Sequence, residues 1–178
     1  MNFEETEEQN MIRNMVRSFA EEVLQPTTLI RDKNQQAPIE EWASFCETSL
    51  QGITIEEDYG GSPVDDITEA IIVEELARVD PSFSVMYCVH VGLCAKTISI
   101  HGDEEQKKKY LSRLAGNEIG AYSLSEAGSG TDAAAMVCKA KLSEDGTHYL
   151  LNGEKMWVTN GSSADIYVLF AKDVDHPE

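Results

Sequence analysis

The chain of 178 residues is short of positive charge, proline, aromatic rings and paired cysteines, and most of these shortages exclude something. Fourteen Lys and Arg stand against 32 Asp and Glu, a formal net charge of −18. Such a surface repels phosphate backbones and argues against nucleic-acid binding. The surplus is −9 over residues 1–60, −4 over 61–118 and −5 over 119–178, so it is not an acidic tail on a neutral domain. The four cysteines form no Cys-x-x-Cys pair and no ligand spacing with histidine, which argues against zinc or any other bound metal. Cys46, Cys88, Cys94 and Cys138 each lie among apolar residues, a setting that predicts buried thiols in a reducing cytoplasm. The first residues are acidic and lack the basic and apolar regions of a secretory signal. The most apolar region, residues 85–100, is interrupted by His90 and Lys96, which argues against a membrane span. Neither GxGxxG nor GxxxxGK[ST] occurs, so Rossmann-type and Walker-type phosphate loops are excluded. With 42% apolar residues, the chain can still build a core.

Up to about residue 118 the hydrophobic period is helical. Met11, Ile12, Met15, Val16, Phe19, Ala20, Val23 and Leu24 form one apolar stripe, Thr6 with Gln9 fits a capping box, and Pro26 is expected to stop this helix. A second helix is predicted over 38–50, with Trp42 and Phe45 inward, and a third from Asp66 to the boundary at Pro81. A fourth, over 81–100, is apolar nearly all round and reads as the central helix of a bundle. Asp103 with Gln106 caps a fifth, running to Leu114.

After Gly120 the period falls to two. Strands are predicted over 121–125, 137–142, 148–152, 155–160 and 166–171, with Glu144-Asp145-Gly146 as a hairpin turn. The order predicts a multidomain α and β chain: a helical domain, residues 1–118, followed by the start of an antiparallel β domain, residues 119–178. A sheet of so few strands has open edges unless something covers it, so the β domain is expected to be incomplete.

Two stretches are candidates for chemistry. In Tyr122-Ser123-Leu124-Ser125-Glu126-Ala127-Gly128-Ser129-Gly130-Thr131-Asp132 a strand enters a loop of small and hydroxylated residues. Such a loop can bring backbone N–H groups close to a ligand, or can be an ordinary wide hairpin loop. In Lys155-Met156-Trp157-Val158-Thr159-Asn160, Trp157 and Thr159 fall on one face of the predicted strand. An indole beside a hydroxyl suits a flat heterocycle; the alternative is a tryptophan buried in a sheet core.

Together these stretches resemble the acyl-CoA dehydrogenase family of flavoenzymes. The resemblance extends in order through Gly52-Ile53-Thr54-Ile55-Glu56-Glu57-Asp58-Tyr59-Gly60-Gly61, Glu74-Glu75-Leu76-Ala77-Arg78-Val79-Asp80, Val89-His90 and the run His101 to Leu111. It implies an N-terminal all-α helical bundle followed by the start of an antiparallel β-barrel domain, with the family's C-terminal helical domain absent. It implies FAD as cofactor, held by Tyr122, Ser123, Leu124, Ser125, Thr131, Trp157, Val158 and Thr159, with Thr131 also contacting the acyl-CoA. Ala127 stands where many members have proline, which removes a φ restraint but no donor.

The implied reaction is α,β-dehydrogenation of an acyl-CoA thioester, in fatty acid or branched-chain amino acid catabolism, with electrons passed to an electron-transfer flavoprotein. The implied assembly is a homo-oligomer, dimer or tetramer, and the implied location is cytoplasmic. No catalytic residue is assigned in this chain: the resemblance places the glutamate base on the C-terminal domain, Glu126 does not match it, and His90 reads as a helix-core residue. The 178 residues alone are therefore expected to be inactive. The other readings are a non-catalytic flavin- or acyl-CoA-binding remnant that pairs with another chain, and an acyl-CoA oxidase or flavin monooxygenase of the same fold.

Overall fold

In the computed structural model, which describes residues 4–175, the capping box at Thr6 forms as the sequence predicts. The Thr6 hydroxyl oxygen accepts from the Gln9 N–H and the Gln9 side chain accepts from the Thr6 N–H, opening α1 (Glu7–Phe19). Val16, Ala20 and Leu24 of the apolar stripe are fully buried. Pro26 does not stop the helix. It lies in the first turn of α2 (Gln25–Asn34), directly after a π turn over Ala20–Leu24 in which the Gln25 N–H bonds back to the Ala20 carbonyl. A first-turn proline needs no N–H, and the wider turn shifts the hydrogen-bond register just ahead of it. The Leu24 carbonyl accepts instead from the hydroxyls of Thr27 and Thr28.

α3 (Ile39–Cys46) is shorter than predicted, because Ser49 takes a left-handed conformation and turns the chain into a 3-10 turn at Leu50–Gly52. α4 (Asp66–Val79) is capped by Asp65, which accepts from the N–H groups of Ile67 and Thr68. Asp80 then ends α4 and caps α5 (Pro81–Cys88) through the Phe83 N–H. A second π turn, Val89–Ala95, joins α5 to α6 (Lys96–His101), giving one continuous helix, Pro81–His101. By length and composition this helix is long and apolar enough to cross a membrane, despite His90 and Lys96, and half of it is buried inside the fold. The Asp103–Gln106 capping box opens α7 (Glu104–Leu114). The rings of Phe19, Trp42, Phe45, Phe83 and Tyr87 meet with centroids 5.1–6.3 Å apart and form the centre of the helical core.

Two buried carboxylate clusters tie the helices together. Glu75 on α4, 2% exposed, accepts from Arg13 at 2.6 Å, Arg17 at 2.8 Å and Arg78 at 3.2 Å. These bonds, Arg17's foremost, hold its carboxyl at about 2. Arg31 on α2 bridges Glu41 on α3 at 2.9 Å and Asp80 at 2.5 Å.

The β segment comprises β1 (Gly120–Ser123), β2 (Lys139–Leu142), β3 (Tyr149–Asn152), β4 (Ile166–Leu169) and β5 (Lys172–Asp173). The helical domain is thus followed by the start of a β domain. The predicted hairpin forms as the antiparallel pair β2–β3, with Gly146 at φ 68° in its turn. Two further pairs run parallel: β1 with β4, Gly120 opposite Ile166, and β2 with β5. The strand predicted over 155–160 does not form. Trp157 at φ 58° and Asn160 at φ 66° both leave the extended region, and the Met156 N–H and the Lys155 ammonium bond to the loop at 124–126 rather than to a neighbouring strand. All four cysteines are free; Cys94 and Cys138 are buried as expected, whereas Cys46 and Cys88 are only partly so.

Glu75→Ala leaves three arginines around an empty site. It is expected to cost about 3 kcal/mol or more, the usual penalty for removing one partner of a buried ion pair, read as a lower urea midpoint at unchanged m.

Candidate functional site

The two chemistry-bearing stretches meet in space. The Met156 N–H donates to the Ser125 carbonyl at 2.8 Å, and the Lys155 ammonium donates to the Leu124 carbonyl at 2.9 Å and to Glu126 Oε1 at 2.7 Å. Glu126 also accepts from the N–H groups of Val137 at 2.6 Å and Cys138 at 3.0 Å. Its carboxyl is held at about 2, chiefly by Lys155. A carboxylate with both oxygens engaged and so low a pKa is a fastener of the loop and a poor proton acceptor at neutral pH. An antiparallel bridge between Glu126 and Ser129 tightens the loop, and the Ser129 hydroxyl donates to the Asp132 carbonyl.

The predicted site residues divide by environment. Ser123 is buried within β1, and Tyr122 sets its ring 5.1 Å from that of Phe170. Leu124 and Ser125 are half-buried beside Lys155 and Met156. Val158 lines a cleft of about 290 Å³ with Ser123, Cys138 and Leu151. Thr159 lines a different cleft, of about 450 Å³, with Val85 and Met86 of α5. Thr131 is exposed on the loop. The hydroxyls of Ser125, Thr131 and Thr159 have no hydrogen-bond partner among the described residues. Trp157 is 87% exposed, which removes the reading of a tryptophan buried in a sheet core. It also does not share a strand face with Thr159, since no strand forms there. A bulky residue in the left-handed region, with its ring turned to solvent, is a strained arrangement of the kind that collects at binding sites.

Sequence reasoning missed three contacts that build the site. The Lys155–Glu126 pair joins residues from the two quoted stretches, and opposite charges within them were the available signal. The other two have no local signal. His90, fully buried on the second π turn, accepts at Nδ1 from the Gly120 N–H at 3.0 Å. Asn160 donates from Nδ2 to the Gly120 carbonyl at 2.9 Å and to the Met86 carbonyl at 3.0 Å. Among the described residues, no group of three or more His, Cys, Asp or Glu is placed to hold a metal ion.

Residues 6–118 match the family profile described as acyl-CoA dehydrogenase, N-terminal domain, and residues 121–178 match that of the acyl-CoA dehydrogenase middle domain. The chain belongs to the acyl-CoA dehydrogenase family. It is 42% identical over 172 residues to a short-chain-specific acyl-CoA dehydrogenase of Clostridium acetobutylicum, an alignment that takes in 96% of this chain and 45% of that protein. Butyryl-CoA dehydrogenase from Megasphaera elsdenii superposes with a TM-score of 0.89 at 37% identity, over 97% of this chain and 46% of that one. An acyl-CoA dehydrogenase from Bacillus anthracis, solved in complex with FAD, gives 0.89 at 35% identity, over 96% and 29%. The chain therefore spans less than half the length of these family members.

Burial lowers the His90 pKa from 6.5 to about 4, which keeps the imidazole neutral. Between those values the unfolded chain takes up a proton that the folded chain does not, so the contribution of His90 to stability is complete above about pH 6.5 and is lost as pH falls towards about 4. Denaturant midpoints measured across that window are expected to fall on acidification, with a shallower slope in His90→Gln, which cannot titrate.

Proposed function

We propose that these residues form the helical domain and the first part of the β domain of an FAD-dependent dehydrogenase acting on a short or branched acyl-CoA thioester. The observation that carries this reading is the exposed, strained Trp157 ring next to the bonds of Met156 and Lys155 that join the two stretches, which also carry the uncommitted hydroxyls of Ser125, Thr131 and Thr159. A flat heterocycle with polar edges fits that equipment: the indole offers a face, and the hydroxyls offer donors and acceptors. When bound, FAD would take up the hydride lost from the acyl β carbon. The chain's own part is to bind and orient. Trp157 covers one side of the ring system, Thr159 and Ser125 meet its polar edge, and the Lys155–Glu126 pair keeps the two stretches at a fixed spacing. Thr131, on the loop, faces both cofactor and thioester.

The base that takes the α proton is supplied from outside residues 1–178. Glu126, the carboxylate nearest in sequence, is committed to Lys155 and two backbone N–H groups. The reduced enzyme passes its electrons to an electron-transfer flavoprotein, and the working assembly is a homo-oligomer in the cytoplasm. The domain boundary is put at residues 118/119, a division supported by the ranges of the two family profiles and by the change from helix to strand at Gly120.

The whole protein is expected to purify yellow and to reduce a dye with a short acyl-CoA; a colourless protein inert to every acyl-CoA would overturn the reading. In Trp157→Ala, loss of a stacked ring worth about 1 kcal/mol predicts roughly fivefold weaker FAD retention. An unchanged affinity and flavin spectrum would remove Trp157 from the site. The polypeptide of residues 1–178, given FAD and a short acyl-CoA, is expected to show no turnover, since a missing general base alone is worth about 10²–10⁴ in rate.

A further inference from the structure

We infer that His90 and Asn160 form a latch on the backbone of Gly120 that sets the spacing between the two site stretches. Both are positioning residues, acting through Gly120, and the inference rests on the flavin reading above.

Gly120 is held on both sides, through the peptide group that precedes it and the one that follows. Its N–H donates to His90 Nδ1 at 3.0 Å and its carbonyl accepts from Asn160 Nδ2 at 2.9 Å. The remaining bonds fix each side chain in one state. Because Nδ1 accepts, the proton of neutral His90 is on Nε2, where it donates to the Gln51 carbonyl at 3.2 Å. The second Nδ2 hydrogen of Asn160 goes to the Met86 carbonyl on α5. One helical carbonyl, that of Met86, and one strand carbonyl, that of Gly120, thus define where Asn160 sits. Its left-handed conformation is one that asparagine tolerates better than most residues.

The position of the latch along the chain gives it its effect. Gly120 lies two residues before Tyr122, and Asn160 directly follows Thr159. The far ends of the same stretches are joined by the Met156 N–H to the Ser125 carbonyl. Trp157, Val158 and Thr159 are therefore suspended between two fixed points, of which the latch is the one anchored to the helical domain. The π turn that carries His90 is itself held, since the Thr54 hydroxyl donates to the Val91 carbonyl within it at 2.9 Å. No side chain can replace the glycine: a Cβ on Gly120 would stand 2.7 Å from both Cβ and Sγ of Cys94.

The test compares Asn160→Ala, His90→Phe and the double variant on the whole protein, with His90→Gln as the conservative control that keeps one acceptor and one donor. Two readouts are taken: backbone hydrogen exchange of the cofactor-free protein, and the dissociation rate and visible circular dichroism of bound FAD. Asn160→Ala and His90→Phe are each expected to speed exchange in 120–123 and at the bonded amides of Gly161, Ser163 and Ala164 by about tenfold, with α7 unchanged, and to release FAD about tenfold faster with an altered flavin band. The double variant is expected to be no worse than the more severe single, since both hold the same residue in place, and His90→Gln is expected to recover part of the loss. Additive effects, or exchange at Gly161, Ser163 and Ala164 that stays at the wild-type rate in Asn160→Ala, would overturn the latch. Asn160 is half-buried, so this variant decides the matter even if His90→Phe fails to fold. A wild-type protein that binds no FAD would instead overturn the flavin reading, and the exchange measurement would still decide the latch.

Discussion

The close approach of β1 to the long central helix governs everything that follows residue 119. At Gly120 backbone lies against the Cys94 side chain with no room for a Cβ, and this contact brings the neighbouring strand in as well. Ile166, opposite Gly120, is buried among Cys94, Ala95, Leu111 and Leu114, and Cys94 Sγ is 3.9 Å from the Ile166 carbonyl. One residue earlier, Ile119 reaches into the aromatic core of the helices while its N–H is held by Asp165 at 2.9 Å. The parallel β1–β4 pair is thus less a free sheet than an extension of the helical core. That explains how so short a β segment acquires a defined position.

Charge is distributed by the same logic. The chain carries more than twice as many acidic as basic residues, and each of its five arginines is in an ion pair. Arg13, Arg17 and Arg78 converge on Glu75, and Arg31 lies between Glu41 and Asp80. The planar guanidinium suits such multiple engagement, and the lysines are left mainly to the surface. Lys155 is the exception, with a side chain 6% exposed and committed to the loop of the site. The negative surface follows from the surplus of carboxylates, while the arginines serve to join elements.

The helices were legible because each is specified locally. Two capping boxes, the aspartate caps and the apolar stripes act over three or four residues, so they can be read from a single sequence. The π turns were not legible, since a wider turn follows from packing and leaves no residue signature; Pro26 was misread for that reason. Of the site, the identity of the two stretches was visible in their residues, but their geometry was not. The run 155–160 alternates like a strand, yet the Lys155–Glu126 pair and the left-handed Trp157 and Asn160 override the alternation. His90 shows why the latch was invisible: a histidine on an apolar helix says nothing about a glycine thirty residues later.

The π turns bear on how this chain can change length over evolution. A π turn takes up one residue more than an α-helical turn, and in an unbroken α-helix an added residue would swing everything beyond it by about 100°. The widened turns at Ala20–Leu24 and Val89–Ala95 each accommodate such a residue between two α-helical segments. At these two places a lineage could lose a single residue and be left with a regular α-helical turn. At the second of them, such a loss would straighten the segment that presents His90 to Gly120, so a shorter version of the helix would have to anchor its first strand by other means.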